Sequence, residues 1–235
     1  MKTVLITRPE EEAEPLAAML AARGFTPLSE PLLRIEFLPE NKPALEAKPQ
    51  AIITTSKRGV QALAEMTAMR DIPLFCVGIA TAHYAVARGY SCSVWAETAE
   101  MLAGKIADSH AAASLLYVRG EDIHFDIAPE LERKGFRVDS AILYRAVAAQ
   151  AFSAPLCSRM AKGHITGALF FSQRTAQAYV GLVQKHGLAQ VHRAMRAVCI
   201  SEAVASRLRE VPWHALCVAD APDMEQMMGM AKTVF

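Results

Sequence analysis

Ala168-Leu-Phe-Phe-Ser-Gln-Arg-Thr-Ala-Gln-Ala-Tyr179 is the stretch that decides the fold. Ala168 to Phe171 form an apolar run that reads as a buried strand. Ser172, Gln173 and Arg174 break it, and from Thr175 the spacing becomes helical. A strand, a tight polar turn and a helix start are the parts from which open α/β sheets build ligand sites, outside the carboxyl ends of their strands. The stretch has an echo in Ala51-Ile-Ile-Thr-Thr-Ser-Lys-Arg-Gly-Val-Gln-Ala-Leu63. Ser56 stands 116 positions before Ser172, and Gln61-Ala62 the same distance before Gln177-Ala178.

The echo is part of a longer repeat. Val4 to Phe25 aligns without a gap with Leu115 to Phe136, matching Arg8 with Arg119, Glu10 with Glu121, Leu20 with Leu131, and Gly24-Phe25 with Gly135-Phe136. Phe75-Cys-Val-Gly78 aligns with Val198-Cys-Ile-Ser201. All strand–helix units look somewhat alike, but here three recur in the same order, which favours an internal duplication. Repeated units of this kind predict an α/β fold of two similar domains, each a parallel sheet with helices on both faces.

The intervening segments fit that plan. Glu10, Glu11, Glu12 and Glu14 crowd the start of a helix whose apolar face is Leu16, Met19 and Leu20, where the helix dipole favours acids. Further strands are expected at Leu74–Val77, Cys92–Trp95, Val138–Val147, Ala197–Ile200 and Ala215–Val218. Helices are expected over Thr81–Ala87, Thr98–Ala107 and Asp223–Lys232, with Thr98 as a cap. Pro27 to Phe37 reads as extended. Leu38 to Pro49 and Ala148 to Pro155 read as connecting segments. Met224, Met227, Met228 and Met230 read first as core packing and second as a binding surface.

Composition narrows the function. A 52% hydrophobic, 21% charged chain is a globular protein with a real core, and a net charge of +1 offers no global attraction for nucleic acid or an anionic membrane. The five cysteines form no CxxC pair and their odd number argues against a disulfide framework, so a reducing cytoplasm is expected. No secretory signal or membrane span is read. There is no GxGxxG or GxxxxGK[ST], so no nucleotide cradle is indicated; no His/Cys cluster has zinc-ligand spacing, so no zinc site is expected; and there is no GxSxG nucleophile elbow.

Polar residues gather instead at the strand ends: Thr7-Arg8, Thr55-Ser56-Lys57-Arg58, Gly78, Arg119-Gly120, Ser172-Gln173-Arg174-Thr175 and Ser201-Glu202. Cations at helix starts oppose the dipole, so helix stability does not explain them. Free N–H groups at those starts bind anions. The pattern reads as multipoint anion recognition, against the alternative that loop cations are simply solvated. Ser56 and Ser172 lack an evident general base and read as hydrogen-bonding hydroxyls. Tyr144, on an extended stretch before Arg145, reads equally as a packing residue or an acid.

Taken together, Val4-Leu-Ile-Thr-Arg-Pro9, Ile53-Thr-Thr-Ser-Lys57, Cys76-Val-Gly78 with Ala80-Thr81-Ala82, Val118-Arg-Gly-Glu-Asp122, Leu143-Tyr-Arg145, Phe170-Phe-Ser172 with Arg174-Thr175-Ala176, and Cys199-Ile-Ser-Glu-Ala203 resemble the uroporphyrinogen-III synthase family over nearly the whole chain. The resemblance implies two flavodoxin-like domains joined by a two-stranded linker. Domain one would span 1–36 with 148–235 and domain two 38–145, with linkers near 34–40 and 143–152. It implies a cofactor-free, metal-free lyase that cyclises hydroxymethylbilane, supplied by the preceding enzyme of tetrapyrrole synthesis, to uroporphyrinogen III. Ring D is inverted through azafulvene and spiro intermediates, and water is released. Tyr144 takes the place of the family's acid. Arg8, Thr55, Ser56, Lys57, Gly78, Thr81, Arg119, Gly120, Ser172, Gln173, Arg174, Thr175, Ser201, Glu202 and Ala203 take those of substrate contacts. A cytoplasmic monomer that closes on its ligand is expected, with no nucleic-acid or membrane partner. The chain departs from the family pattern at Ala146, where Thr is common, at His124, where Arg is frequent, and at Gln173, where Pro is common. A non-catalytic polyanion-binding protein of the same fold is the alternative reading, and a nucleotide-dependent transferase is a more distant one.

Overall fold

The computed structural model describes residues 2–41, 48–123 and 125–235. The chain begins with β1 (Thr3–Ile6), α1 (Glu10–Ala21) and β2 (Thr26–Ser29), and β3 (Leu33–Phe37) follows. Next come β4 (Ala51–Thr54), α2 (Lys57–Met66), β5 (Leu74–Val77), α3 (Ile79–Val86), β6 (Cys92–Ala96), α4 (Ala99–Ser109), β7 (Ser114–Gly120), α5 (Ala128–Glu132) and the long β8 (Arg137–Ala148). The chain ends with α6 (Ala154–Ala161), β9 (Gly167–Phe170), α7 (Gln173–Lys185), a 3-10 helix (Ala189–Ala194), β10 (Arg196–Cys199), α8 (Glu202–Leu208), β11 (Ala215–Val218) and α9 (Met224–Val234).

Two compact units result. One comprises Met1–Arg34 with Val147–Phe235, the other Ile35–Ala146. The first holds a sheet in the order β11-β10-β9-β1-β2 and the second a sheet in the order β3-β8-β7-β4-β5-β6. Pairing is parallel from β11 to β2 and from β8 to β6. The connecting strands β3 and β8 are antiparallel, since Leu38 N–H reaches Leu143 O and Ala149 N–H reaches Leu32 O, both at 2.9 Å.

The repeat explains the two orders. β7 takes the place of β1, β8 of β2, β4 of β9, β5 of β10 and β6 of β11. In the first unit the strands follow the flavodoxin-like order 2-1-3-4-5. The second has the same spatial order, but its chain enters at the middle strand, a circular permutation. Equivalent positions repeat even in detail. Gly24 and Gly135 both sit at positive φ (82° and 90°) as helix C-terminal stops, and Phe25 and Phe136 N–H both bond back five residues, to Leu20 O and Leu131 O at 3.1 Å.

Each sheet is covered on both faces because alternate strand residues are apolar on both sides. In the first unit Val4, Ile6, Leu169 and Val198 pack on α1 and α9, and Leu5, Ala168, Phe170 and Ala197 pack beneath α6, α7 and α8. In the second, Ile52, Cys76, Leu116 and Val118 meet α2 and α3, and Ile53, Phe75, Leu115 and Tyr117 meet α4 and α5. Met227 and Met228 are buried in this way, which favours the packing reading of the C-terminal methionines.

Several expectations need correction. Pro27 to Phe37 is two strands rather than one extended run, and α6 begins inside the connecting segment expected up to Pro155. Ser153 caps that helix by accepting from Leu156 N–H (3.3 Å), and Pro155 sits in its first turn, where its missing N–H costs no intrahelical bond. Half of the connecting segment expected over Leu38 to Pro49, residues 42–47, lies outside the described residues, as does His124. Among the described residues no helix is long and apolar enough to cross a membrane.

Candidate active site

In a doubly wound sheet the loops after two neighbouring strands diverge where the strand order reverses, leaving a crevice at their carboxyl ends. In the second unit that point lies between β4 and β7. A cavity of about 400 Å³ occupies it. Thr55 and Ser56 follow β4 into its wall, Gly120 ends β7, and Tyr144 is contributed by β8.

Ser56 holds two contacts. As N-cap of α2 its Oγ accepts from Gly59 N–H at 3.1 Å, and the same oxygen lies 2.6 Å from the Tyr144 hydroxyl. Tyr144 owes its direction to an irregularity in β7–β8 pairing. Arg119 is opposite Ile142 but Gly120 is opposite Tyr144, so Leu143 is skipped. Such a bulge re-aims the side chain that follows it. Gly120 then permits the approach: a Cβ there would lie 2.8 Å from Tyr144 Cε2, inside contact distance. Glu121 N–H bonds Tyr144 O at 2.9 Å and fixes the backbone.

The other expected contacts of this unit do not line the cavity. Lys57 is exposed in the first turn of α2, and Thr81 is buried in α3 with its N–H bonded to Gly78 O at 3.0 Å. Arg119 uses Nη1 on the carbonyls of Gly120 (3.0 Å) and Glu121 (3.3 Å), while its buried Nε finds no partner among the described residues. Arg58, partly buried, bonds Gln61 Oε1 at 3.2 Å, and burial lowers its pKa against the opposing influence of Tyr84 and Tyr144.

The remaining expected contacts occupy the strand ends of the first unit. Ser172 caps α7 by accepting from Thr175 N–H (3.1 Å), and it donates to the Thr175 hydroxyl (2.7 Å), which is buried. The helix therefore opens at Gln173, two residues before the expected Thr175; Gln173 and Arg174 are in that first turn. Arg8 is engaged by Glu12 (Nε to Oε2, 2.7 Å) and lies 4.6 Å over the Phe171 ring. Ser201 receives Val204 and Ala205 N–H on its carbonyl, both at 3.1 Å, without a side-chain cap. Glu202 bonds Arg209, and Ala203 is exposed.

Sequence reasoning missed other parts of the cavity wall. Ala99 and Glu100 open α4 under the Thr98 cap, Asp122, Ile123 and Phe125 follow β7, and Tyr117 lies within β7 itself. The Thr98 cap was a usable signal for the first two, since it marks another helix start after a strand. Tyr117 gave none, because it stands inside the apolar run Leu115–Val118. Its hydroxyl is buried and makes no hydrogen bond of normal geometry among the described residues, although the Thr55 side chain is close enough to act on it; burial raises its phenol above its ordinary pKa, and Thr55 opposes that. A second cavity, of about 280 Å³, lies at the opposite strand ends near Gln50, Pro73, His110 and Ala113, and has no comparable convergence of hydroxyls.

Comparison with known proteins agrees with this fold. No curated protein is significantly similar to the chain in sequence. A uroporphyrinogen-III synthetase from Helicobacter pylori 26695 is similar over 100% of both chains at 16% identity, with a TM-score of 0.66. A mutant uroporphyrinogen III synthase from the extremely thermophilic bacterium Thermus thermophilus is similar over 99% of this chain and 97% of its own at 17% identity, with a TM-score of 0.55. At such identities these two show a shared fold. A family model described as uroporphyrinogen-III synthase HemD matches residues 14–229, nearly the whole chain. With that match added to the repeated flavodoxin-like units, the chain belongs to the uroporphyrinogen-III synthase family.

Proposed function

We propose that the chain carries out its family's reaction at the second unit's cavity, closing hydroxymethylbilane to uroporphyrinogen III with Tyr144 as the acid. The observation that carries this reading is the Tyr144 hydroxyl, 2.6 Å from Ser56 Oγ on the wall of a cavity at a strand-order reversal. In the first step the C–O bond of the terminal hydroxymethyl group breaks and its electron pair leaves with oxygen. The phenol supplies a proton, water departs, and the pyrrole N–H proton restores the phenol, leaving the azafulvene. Ser56 orients the phenol while it is itself fixed by the α2 N-terminus.

Substrate contacts follow from the same reading. The exposed cations of the helix starts, Lys57 and Arg174, are suited to the carboxylate arms, together with backbone N–H groups at those starts. Arg8 and Glu202 would have to leave the ionic partners they hold, Glu12 and Arg209. The division of the chain at 1–36 with 148–235 and at 38–145 is the corresponding domain assignment. Five free cysteines suit a reducing cytoplasm, where we place a monomer that receives its substrate from the preceding enzyme.

The deciding experiment is a coupled assay in which hydroxymethylbilane is generated freshly in the presence of the chain. The type III isomer is expected as the main product. Formation of the type I isomer alone would overturn the proposal and leave the binding-protein alternative.

A further inference from the structure

Resting on that reading, we infer that Tyr117 is a second phenol of the reaction site, whose hydroxyl donates a hydrogen bond to the leaving hydroxymethyl oxygen. Tyr117 lines the same cavity as Tyr144, on the neighbouring strand β7. Its side chain is fully buried, yet its hydroxyl has no hydrogen-bond partner among the described residues. A buried hydroxyl without a partner is costly, whereas Phe would fill the same apolar space without that cost. The ring is surrounded by apolar Ile53, Phe75, Leu115 and Ile127, and the polar side chain felt at its hydroxyl is Thr55, which stands on the same cavity wall without closing a hydrogen bond to it.

The cavity's own chemistry identifies the acceptor. Glu100 and Asp122 stand on its wall, and no Lys or Arg is among the lining residues. Two carboxylates repel the acetate and propionate arms of the substrate. Ile123, Phe125 and Ala99 provide an apolar wall for a pyrrole ring. What fits is the neutral hydroxymethyl group and its edge of the terminal pyrrole, with that ring's own acetate and propionate directed away from the two carboxylates, and there the hydroxymethyl oxygen is the acceptor. Burial raises the Tyr117 phenol, which keeps it a protonated donor. Two phenols on one cavity then share the leaving oxygen, with Tyr144 held by Ser56 and Tyr117 supplied from the core side.

Tyr117→Phe tests this, because the ring is retained. With freshly generated hydroxymethylbilane, kcat is expected to fall about tenfold while KM and the affinity for uroporphyrinogen III, which lacks the hydroxyl, stay unchanged. The thermal midpoint of the unliganded variant is expected to equal or exceed that of the wild type. A kcat within about twofold of wild type overturns the inference. So does a lowered thermal midpoint together with lowered activity, which assigns Tyr117 a structural role. A wild-type chain that gives only the type I isomer instead overturns the reading on which the inference rests.

Discussion

The Tyr144 hydroxyl and Ser56 Oγ lie 2.6 Å apart, and the Ser56 oxygen also accepts from Gly59 N–H at 3.1 Å. The phenol is thereby anchored to the first turn of a helix whose position is set by the core of its unit. Tyr144→Phe removes the proton donor and keeps the ring. We expect kcat to fall by about 10²-fold or more, with product binding changed little, as measured by steady-state kinetics and product titration. Loss of product affinity with unchanged kcat would show Tyr144 to be a binding residue.

Ser56 and Ser172 are matched caps with different second contacts. Each Ser→Ala variant is expected to lose about 1 kcal/mol of stability in denaturant titration. Only Ser56→Ala also frees the phenol of Tyr144, so at comparable stability its kcat should fall further than that of Ser172→Ala. Equal kinetic effects would remove the Ser56–Tyr144 contact from the mechanism.

Gly120 makes room for the Tyr144 ring. A methyl at Gly120 would stand 2.8 Å from Cε2 and 3.2 Å from the hydroxyl oxygen. Gly120→Ala should displace the ring, cost roughly 1–3 kcal/mol through overpacking, and lower kcat as Tyr144→Phe does. A variant with wild-type kcat would mean that the ring position is not critical.

His192 sets an acid limit on the first unit. It is fully buried, its Nδ1–H donates to Leu188 O (2.8 Å), and its Nε2 therefore accepts from the Tyr179 hydroxyl (2.8 Å). Burial lowers its pKa, opposed by the backbone at Leu188 and Ala189. With the folded value below the unfolded value of about 6.5, the neutral ring contributes stability above pH ~6.5. That contribution is lost as pH falls through the folded pKa. In an NMR titration the ring of His192 should show a midpoint below the ordinary value of about 6.5. A midpoint at or above that value contradicts the expected direction. Tyr179→Phe leaves Nε2 unpaired and should cost about 1–3 kcal/mol at pH 7.

Much of the fold was legible because it is written in short-range patterns. Ala168–Phe171 and its echo at Ala51–Thr54 are apolar on both faces, as strands covered on both sides must be. Gly24 and Gly135 mark helix ends by a φ that other residues avoid. The candidate site was legible only in part. Ser56 and Ser172 stood out as polar residues after strands, but pattern does not separate a ligand contact from a helix cap, and both are caps. Thr175 and Thr81 looked like site hydroxyls and are buried.

The amino-acid sequence by itself determined the strand–helix units and the twofold repeat of three of them, because both depend on spacing along the chain, and its motifs carried the resemblance to the family. Only the tertiary structure decided the order of the strands and the membership of the cavity. The second sheet is a circular permutation of the first, since pairing depends on which edges meet and not on which unit comes first in the chain. Gly120 and Tyr144 come together because β7 and β8 pair with a skipped residue at Leu143, and Tyr117 joins them from within β7. No spacing in the sequence encodes that register, which is settled by the packing of alternate side chains into the two faces of the sheet.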